Sequence, residues 1–222
     1  MGKRIAILQS NYIPWRGYFD MISQVDEFVI YDSVQYTKND WRNRNLIKTP
    51  TGVQWITIPV YHKLDQKIKD TKVSDKDWNI KHWNTLVQFY GKTKYFDYYK
   101  SFFENLYKKI DTIYLSEINR IFIEAVCELL DIKTKITDSS LFELCGDKTK
   151  RIADICKSLG ADTYLSGPAA KDYMDMNIME GIKTEWMRYD YLEYDQLYPP
   201  FKNGVTVLDM LFNEGKFIRN VA

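Results

Sequence analysis

The feature that most constrains this chain is a strand, a loop, a short helix and a second strand, all read within its first thirty or so residues. Arg4–Leu8, RIAIL, is an apolar run without helical period, the pattern of a strand covered on both faces. Ser10, Asn11, Pro14 and Gly17 punctuate the loop that follows. Phe19, Ile22 and Val25 then recur at spacing three, which predicts an amphipathic helix over Tyr18–Val25. Glu27–Tyr31 reads as the next strand and runs into Asp32. Such a unit pairs its strands in parallel through a right-handed crossover, so the chain starts as an α/β sheet.

The rest of the pattern extends that sheet. Leu46–Thr49 and Val53–Val60 flank the turn Pro50-Thr51-Gly52 and predict a hairpin whose two faces are both partly covered. Lys67–Val73 is expected as an edge strand. Trp78–Tyr90, Phe96–Ile110 and Leu115–Leu130 carry apolar residues at spacings of three and four and predict three core-facing helices. A second α/β section follows: a strand at Lys133–Thr137, a helix Lys148–Leu159 capped by Asp147, and a strand at Asp162–Leu165. Then come a helix from about Ala169, a strand at Lys183–Arg188 and a closing helix over Val205–Phe212. The expected fold is one α/β domain over residues 1–222, with a mostly parallel sheet, a β-hairpin extension and a helical insertion at about 76–131.

Composition narrows the function classes. A net charge of +1 and a pI near 7.6 give no global field toward nucleic acid or an anionic membrane, so no nucleic-acid partner is expected. No apolar run approaches a membrane span, and that of MGKRIAILQS is too short for a signal peptide. Cys127, Cys145 and Cys156 are odd in number without C-x-x-C spacing, which fits a reducing compartment, so the expected location is the cytoplasm.

Open α/β sheets bind ligands beyond the carboxyl ends of their strands, and three such ends carry suitable side chains. The first supplies Gln9, Asn11, Tyr12 and Trp15. The second, DSVQYTKNDWRNRN from Asp32 to Asn45, is too polar to be core and supplies Gln35, Tyr36, Lys38, Trp41, Asn43 and Asn45. If it is extended, Arg42 and Arg44 share one face and their guanidinium forks suit a phosphate or diphosphate; alternatively they pair with Asp32 and Asp40 and tie the loop down. The third end supplies Ser166 and Gly167, which form either a plain turn or the lead into a helix start that attracts anions. Asp32, Asp40 and His82 are the candidate general bases, with a satisfied, partly buried histidine as the alternative reading of His82. Walker A, G-x-G-x-x-G, G-x-S-x-G and H-E-x-x-H are absent, so no cofactor, metal or covalent nucleophile is specified. GDKTKR, residues 146–151, is discounted as a phosphate loop, with Lys148 and Lys150 at most a solvated face or a secondary phosphate contact.

IAILQSNYIPWRGYFD, DSVQYTKNDWRNRN with IKTPTGVQWITIPV behind it, ADTYLSGPAAKDYMD and GVTVLDMLFNEG together resemble the WbqC-like protein family, over about Lys3 to Gly215. The resemblance implies an enzyme of bacterial surface-polysaccharide or O-antigen biosynthesis. The specific expectation is a transferase that moves an acyl or aminoacyl group to an amino sugar, on a nucleotide-linked or activated sugar. A non-catalytic ligand-binding or scaffold protein of a glycan pathway is the alternative. More distantly, the order of elements is similar to nucleotidyltransferase-like Rossmann folds. Their H-x-G-H motif is replaced here by Pro14-Trp15-Arg16-Gly17-Tyr18, where Arg16 is the residue able to substitute electrostatically.

Overall fold

The computed structural model describes residues 2–217; the remaining ends of the expected 1–222 domain, residues 1 and 218–222, lie outside the described residues. The first strand, β1 (Lys3–Leu8), is followed by α1 (Arg16–Ser23), β2 (Glu27–Ile30) and the hairpin β3 (Arg44–Thr49) and β4 (Gly52–Thr57). Three helices come next: α2 (Trp78–Tyr90), α3 (Phe96–Lys109) and α4 (Leu115–Leu129). The chain then runs through β5 (Lys135–Asp138), α5 (Lys148–Ser158), β6 (Ala161–Ser166), β7 (Lys183–Trp186) and α6 (Val207–Glu214).

Five strands form one sheet in the order β5-β2-β1-β6-β7, with every neighbouring pair parallel. Because β1 is central, its alternating side chains serve two cores. Ile5 and Ile7 join Val29, Tyr164 and the α5 residues Ile152, Ile155 and Cys156, while Ala6 joins Phe28, Ile30 and Leu165. That second cluster also holds Phe19 and Ile22 of α1, Trp78 and Leu86 of α2, Phe103 of α3, Phe122 of α4 and Phe212 of α6. The helices between β2 and β5 therefore share the core of one sheet face. At the amino edge of the strands Glu27 is almost fully buried between Lys3 at 2.8 Å and Lys135 at 3.2 Å. Burial alone would raise its pKa; hydrogen bonds from the two lysines and Thr137 outweigh this and hold it below the usual value.

Local rules account for several boundaries. Asp147 caps α5 by accepting from the Lys150 N–H at 2.8 Å. Gly215 ends α6 in the left-handed region, φ 69°, with a Cβ there only 2.5 Å from the Tyr95 ring. Three expectations are corrected. Lys67–Val73 is not a strand: Ile68–Asp70 is a 3-10 turn with isolated bridges on either side, because the apolar Ile68 is driven fully into the core and the Thr71 hydroxyl donates back to the Lys67 carbonyl at 2.9 Å. The segment after Gly167 is the five-residue 3-10 helix Pro168–Asp172 rather than an α-helix. On β4 only Ile56 is buried, while Val53 and Trp55 face solvent, so one hairpin face is uncovered. No helix among the described residues is long and apolar enough to cross a membrane.

Candidate functional site

The carboxyl ends of β1, β2 and β6 open onto one cleft of about 880 Å³. The strand order reverses between β1 and β6, the place where an open parallel sheet leaves a crevice for a ligand. Ile7, Leu8 and Gln9 come from the end of β1, Tyr31, Val34 and Gln35 from the segment after β2, and Ser166 and Gly167 from the end of β6. Lys148 and Arg151 of α5 stand at the rim, and Trp15, Trp41, Tyr173 and Tyr189 form aromatic walls. The lining contains those two cations and no carboxylate. A second pocket of about 220 Å³, lined by Asn11, Pro14, Trp15, Trp41, Asn45 and Gly204, adjoins the cleft and shares both tryptophans with it.

Long-range hydrogen bonds hold the first loop in place. Ile13 is buried at φ 38°, a conformation a β-branched residue adopts only when its surroundings impose it. The Asn45 amide nitrogen donates to the carbonyls of Tyr12 at 3.0 Å and Ile13 at 2.6 Å, and the Tyr12 N–H donates to the Trp41 carbonyl at 3.0 Å. On the far side the Val207 N–H donates to the Pro14 carbonyl and the Thr206 N–H to the Leu46 carbonyl, both at 2.9 Å. Gly17 lies directly under Trp15, where a Cβ would come within 2.4 Å of the indole.

Asp32 does not face the cleft. It is fully buried, its carboxylate accepts from the Ser10 N–H at 2.9 Å and from the Ser116 hydroxyl, and burial raises its pKa against the lowering effect of those bonds. It thus ties the end of β2 to the first loop and to α4. Trp41–Asn43 is a turn, not an extended segment, so Arg42 and Arg44 do not present a paired face. Arg42 donates to the Asn11 side-chain oxygen and lies 3.4 Å from Asp40. Arg44 donates to the Asn39 carbonyl and stacks 4.1 Å from the Trp55 ring centre. Asn43 is spent on the Ile58 carbonyl at 2.8 Å, Tyr36 is buried, and Lys38 is exposed. Arg16 is buried against the rings of Tyr191, Tyr194 and Phe201 and donates to the Asn203 side-chain oxygen, so it does not reach the cleft either.

His82 is buried beneath the same loop. Its Nε2 meets the Thr57 carbonyl at 3.1 Å, which can only accept, so Nε2 carries the proton and Nδ1 accepts the Tyr12 hydroxyl at 2.9 Å. Tyr107 in turn donates to the Tyr12 oxygen at 2.7 Å. Burial pushes the imidazole pKa down to about 4. Of the three acid–base candidates, Asp40 alone keeps appreciable solvent contact, and its carboxylate accepts from the Trp41 N–H at 2.7 Å.

Of the residues singled out from sequence, Gln9, Trp15, Gln35, Trp41, Ser166 and Gly167 line the cleft, and Asn11 and Asn45 line the adjoining pocket. Sequence reasoning missed Tyr31, Arg151, Tyr173 and Tyr189, and set Lys148 aside. The usable signal was that α5 follows a parallel strand, which brings its first turn to the rim where the strands end, with Lys148 and Arg151 on one face at i and i+3. Burial raises the pKa of Tyr31, with Arg151 pulling it back, and raises that of Tyr189 to about 12, so both phenols stay protonated donors at neutral pH.

Comparison with known proteins places the chain in a family without supplying a reaction. The chain is 44% identical over 218 residues to the uncharacterized protein Rv1507c of Mycobacterium tuberculosis, covering 96% of this chain and 94% of that one. No solved structure matches. The sequence profile of the WbqC-like protein family matches residues 9–220, nearly the whole chain, and the chain belongs to that family.

Proposed function

We propose that this chain is a cytoplasmic, Rossmann-like transferase of bacterial surface-polysaccharide or O-antigen biosynthesis. Its substrate is a nucleotide-linked or activated sugar, and its reaction is transfer of an acyl or aminoacyl group to an amino sugar. The observation that carries this reading is the pair of chambers, about 880 Å³ and about 220 Å³, that meet at Trp15 and Trp41. A transferase must hold two substrates with their reacting atoms in contact, and the shared tryptophans are the meeting point. The larger chamber is of the size that receives a nucleotide-bearing ligand, and its aromatic walls suit a base or a sugar face. The strand order of the parallel sheet, with its reversal beside β1, supports the Rossmann-like assignment.

In this reaction the amine nitrogen bonds to the acyl carbon as the bond from that carbon to its leaving group breaks, and the amine gives up a proton. Asp40, next to Trp41 and open to solvent, is the acceptor assigned to that proton. Calorimetry with uridine and thymidine diphosphate sugars tests the reading. Binding of at least one of them, weakened about tenfold or more in Trp41→Ala, is expected; absence of binding by all of them removes the proposal.

A further inference from the structure

We infer that Lys148, Arg151 and Tyr31 form the diphosphate grip of the cleft, at the end away from the small pocket. This inference rests on the nucleotide-sugar reading above. It is carried by charge and by unused hydrogen-bonding capacity, neither of which enters the argument from the two chambers.

The protein as a whole is close to neutral, yet the cleft lining holds two cations and no carboxylate. Both cations come from one face of α5, a single turn apart, which spaces their side-chain roots by about 5–6 Å. A lone carboxylate is saturated by one guanidinium fork, whereas two adjacent phosphoryl groups need a second cation at about this separation. Lys148 is exposed and its ammonium lies 5.2 Å from the Tyr173 ring centre, a contact that leaves its three N–H donors available. Arg151 Nε and the Tyr31 hydroxyl are both buried without a well-formed hydrogen bond, although burial raises the phenol's pKa and the nearby guanidinium offsets part of that rise. Buried donors in that state are costly unless something else satisfies them, and a phosphate that draws the Arg151 guanidinium and the Tyr31 phenol toward the cleft they both line would do so.

The backbone is not the anion receptor here. The Asp147 carboxylate already occupies the start of α5 by accepting from the Lys150 N–H. The recognition therefore comes from side chains. Lys150, on the same helix, is turned outward and pairs with Asp154 at 3.0 Å, which makes it an internal control.

The experiment is calorimetric titration of the full chain with inorganic pyrophosphate, with acetate as the reference anion, at fixed ionic strength. Pyrophosphate is expected to bind and acetate not. Lys148→Ala and Arg151→Gln should each weaken pyrophosphate by about tenfold or more, and Lys150→Ala should leave it unchanged. Lys148 is a surface residue, so its variant reads the site even if the Arg151 variant fails to fold. Equal affinity in wild type and Lys148→Ala, equal loss in Lys150→Ala, or no pyrophosphate binding by wild type would each overturn the assignment. Loss of pyrophosphate in the two variants, together with no binding of any nucleotide sugar by wild type, leaves the grip standing and sinks the sugar-nucleotide transferase instead.

Discussion

The buried Tyr107–Tyr12–His82–Thr57 chain predicts how stability responds to acid. In the unfolded chain His82 takes a proton near its ordinary pKa of 6.5, whereas in the folded protein burial delays this to about 4. Between those values the unfolded state binds the extra proton, so stability is complete above about pH 6.5, falls as pH drops toward about 4, and is flat below. The whole window is worth about 3 kcal/mol, and about 2 kcal/mol of it lies between about pH 7 and about pH 5. Asp32 and Asp209 act in the opposite sense, because burial raises their pKa values and their folded forms gain protons first. The clean measurement is therefore a difference: urea unfolding of wild type and of His82→Gln at both pH values. Wild type should lose about 2 kcal/mol more than the variant over that interval. Equal losses, or a His82 imidazole signal in NMR that titrates near 6.5, would refute the burial argument.

Three further outcomes follow from contacts near the site. Gly17→Ala drives a methyl into the Trp15 indole, so the protein should fold with a loss of about 1–3 kcal/mol while nucleotide-sugar affinity in calorimetry drops, because Trp15 walls both chambers. Asp209→Ala strips the acceptor from the Tyr90 and Tyr194 hydroxyls and the Gln196 amide, and urea unfolding should show a cost of about 3 kcal/mol or more. Asn45→Ala removes the two side-chain bonds to the Tyr12 and Ile13 carbonyls that help hold Ile13 in its left-handed conformation; a stability loss of about 1–3 kcal/mol and faster amide hydrogen exchange at Tyr12 and Ile13 are expected.

What the sequence revealed was what near neighbours decide. Helix α2 runs from Trp78 to Tyr90 as its apolar spacing indicates, Asp147 caps α5, and the Pro50-Thr51-Gly52 turn separates β3 from β4. What it concealed was set by distant partners. The turn at Trp41–Asn43 is held by Tyr12 and by the Asn119 amide, which donates to the Arg42 carbonyl at 2.8 Å, and no local pattern announces either bond. Asp32 looks like a solvent-facing loop acid until Ser10 and Ser116 are brought to it from 22 and 84 positions away. Arg151 reads as one more charge on an exposed helix; it becomes a cleft residue only once the strand order places α5 beside the ends of β1 and β6.

The bonds from Val207 to Pro14 and from Thr206 to Leu46, with Gly204 in the wall of the small pocket, bear on when that pocket can form. A nascent chain on the ribosome can build β1, α1 and the hairpin early, but the pocket they begin has no closing wall until the segment around Gly204 has left the exit tunnel. The small pocket is thus a late feature of synthesis, complete only when the segment around Gly204 has joined the first loop and the hairpin.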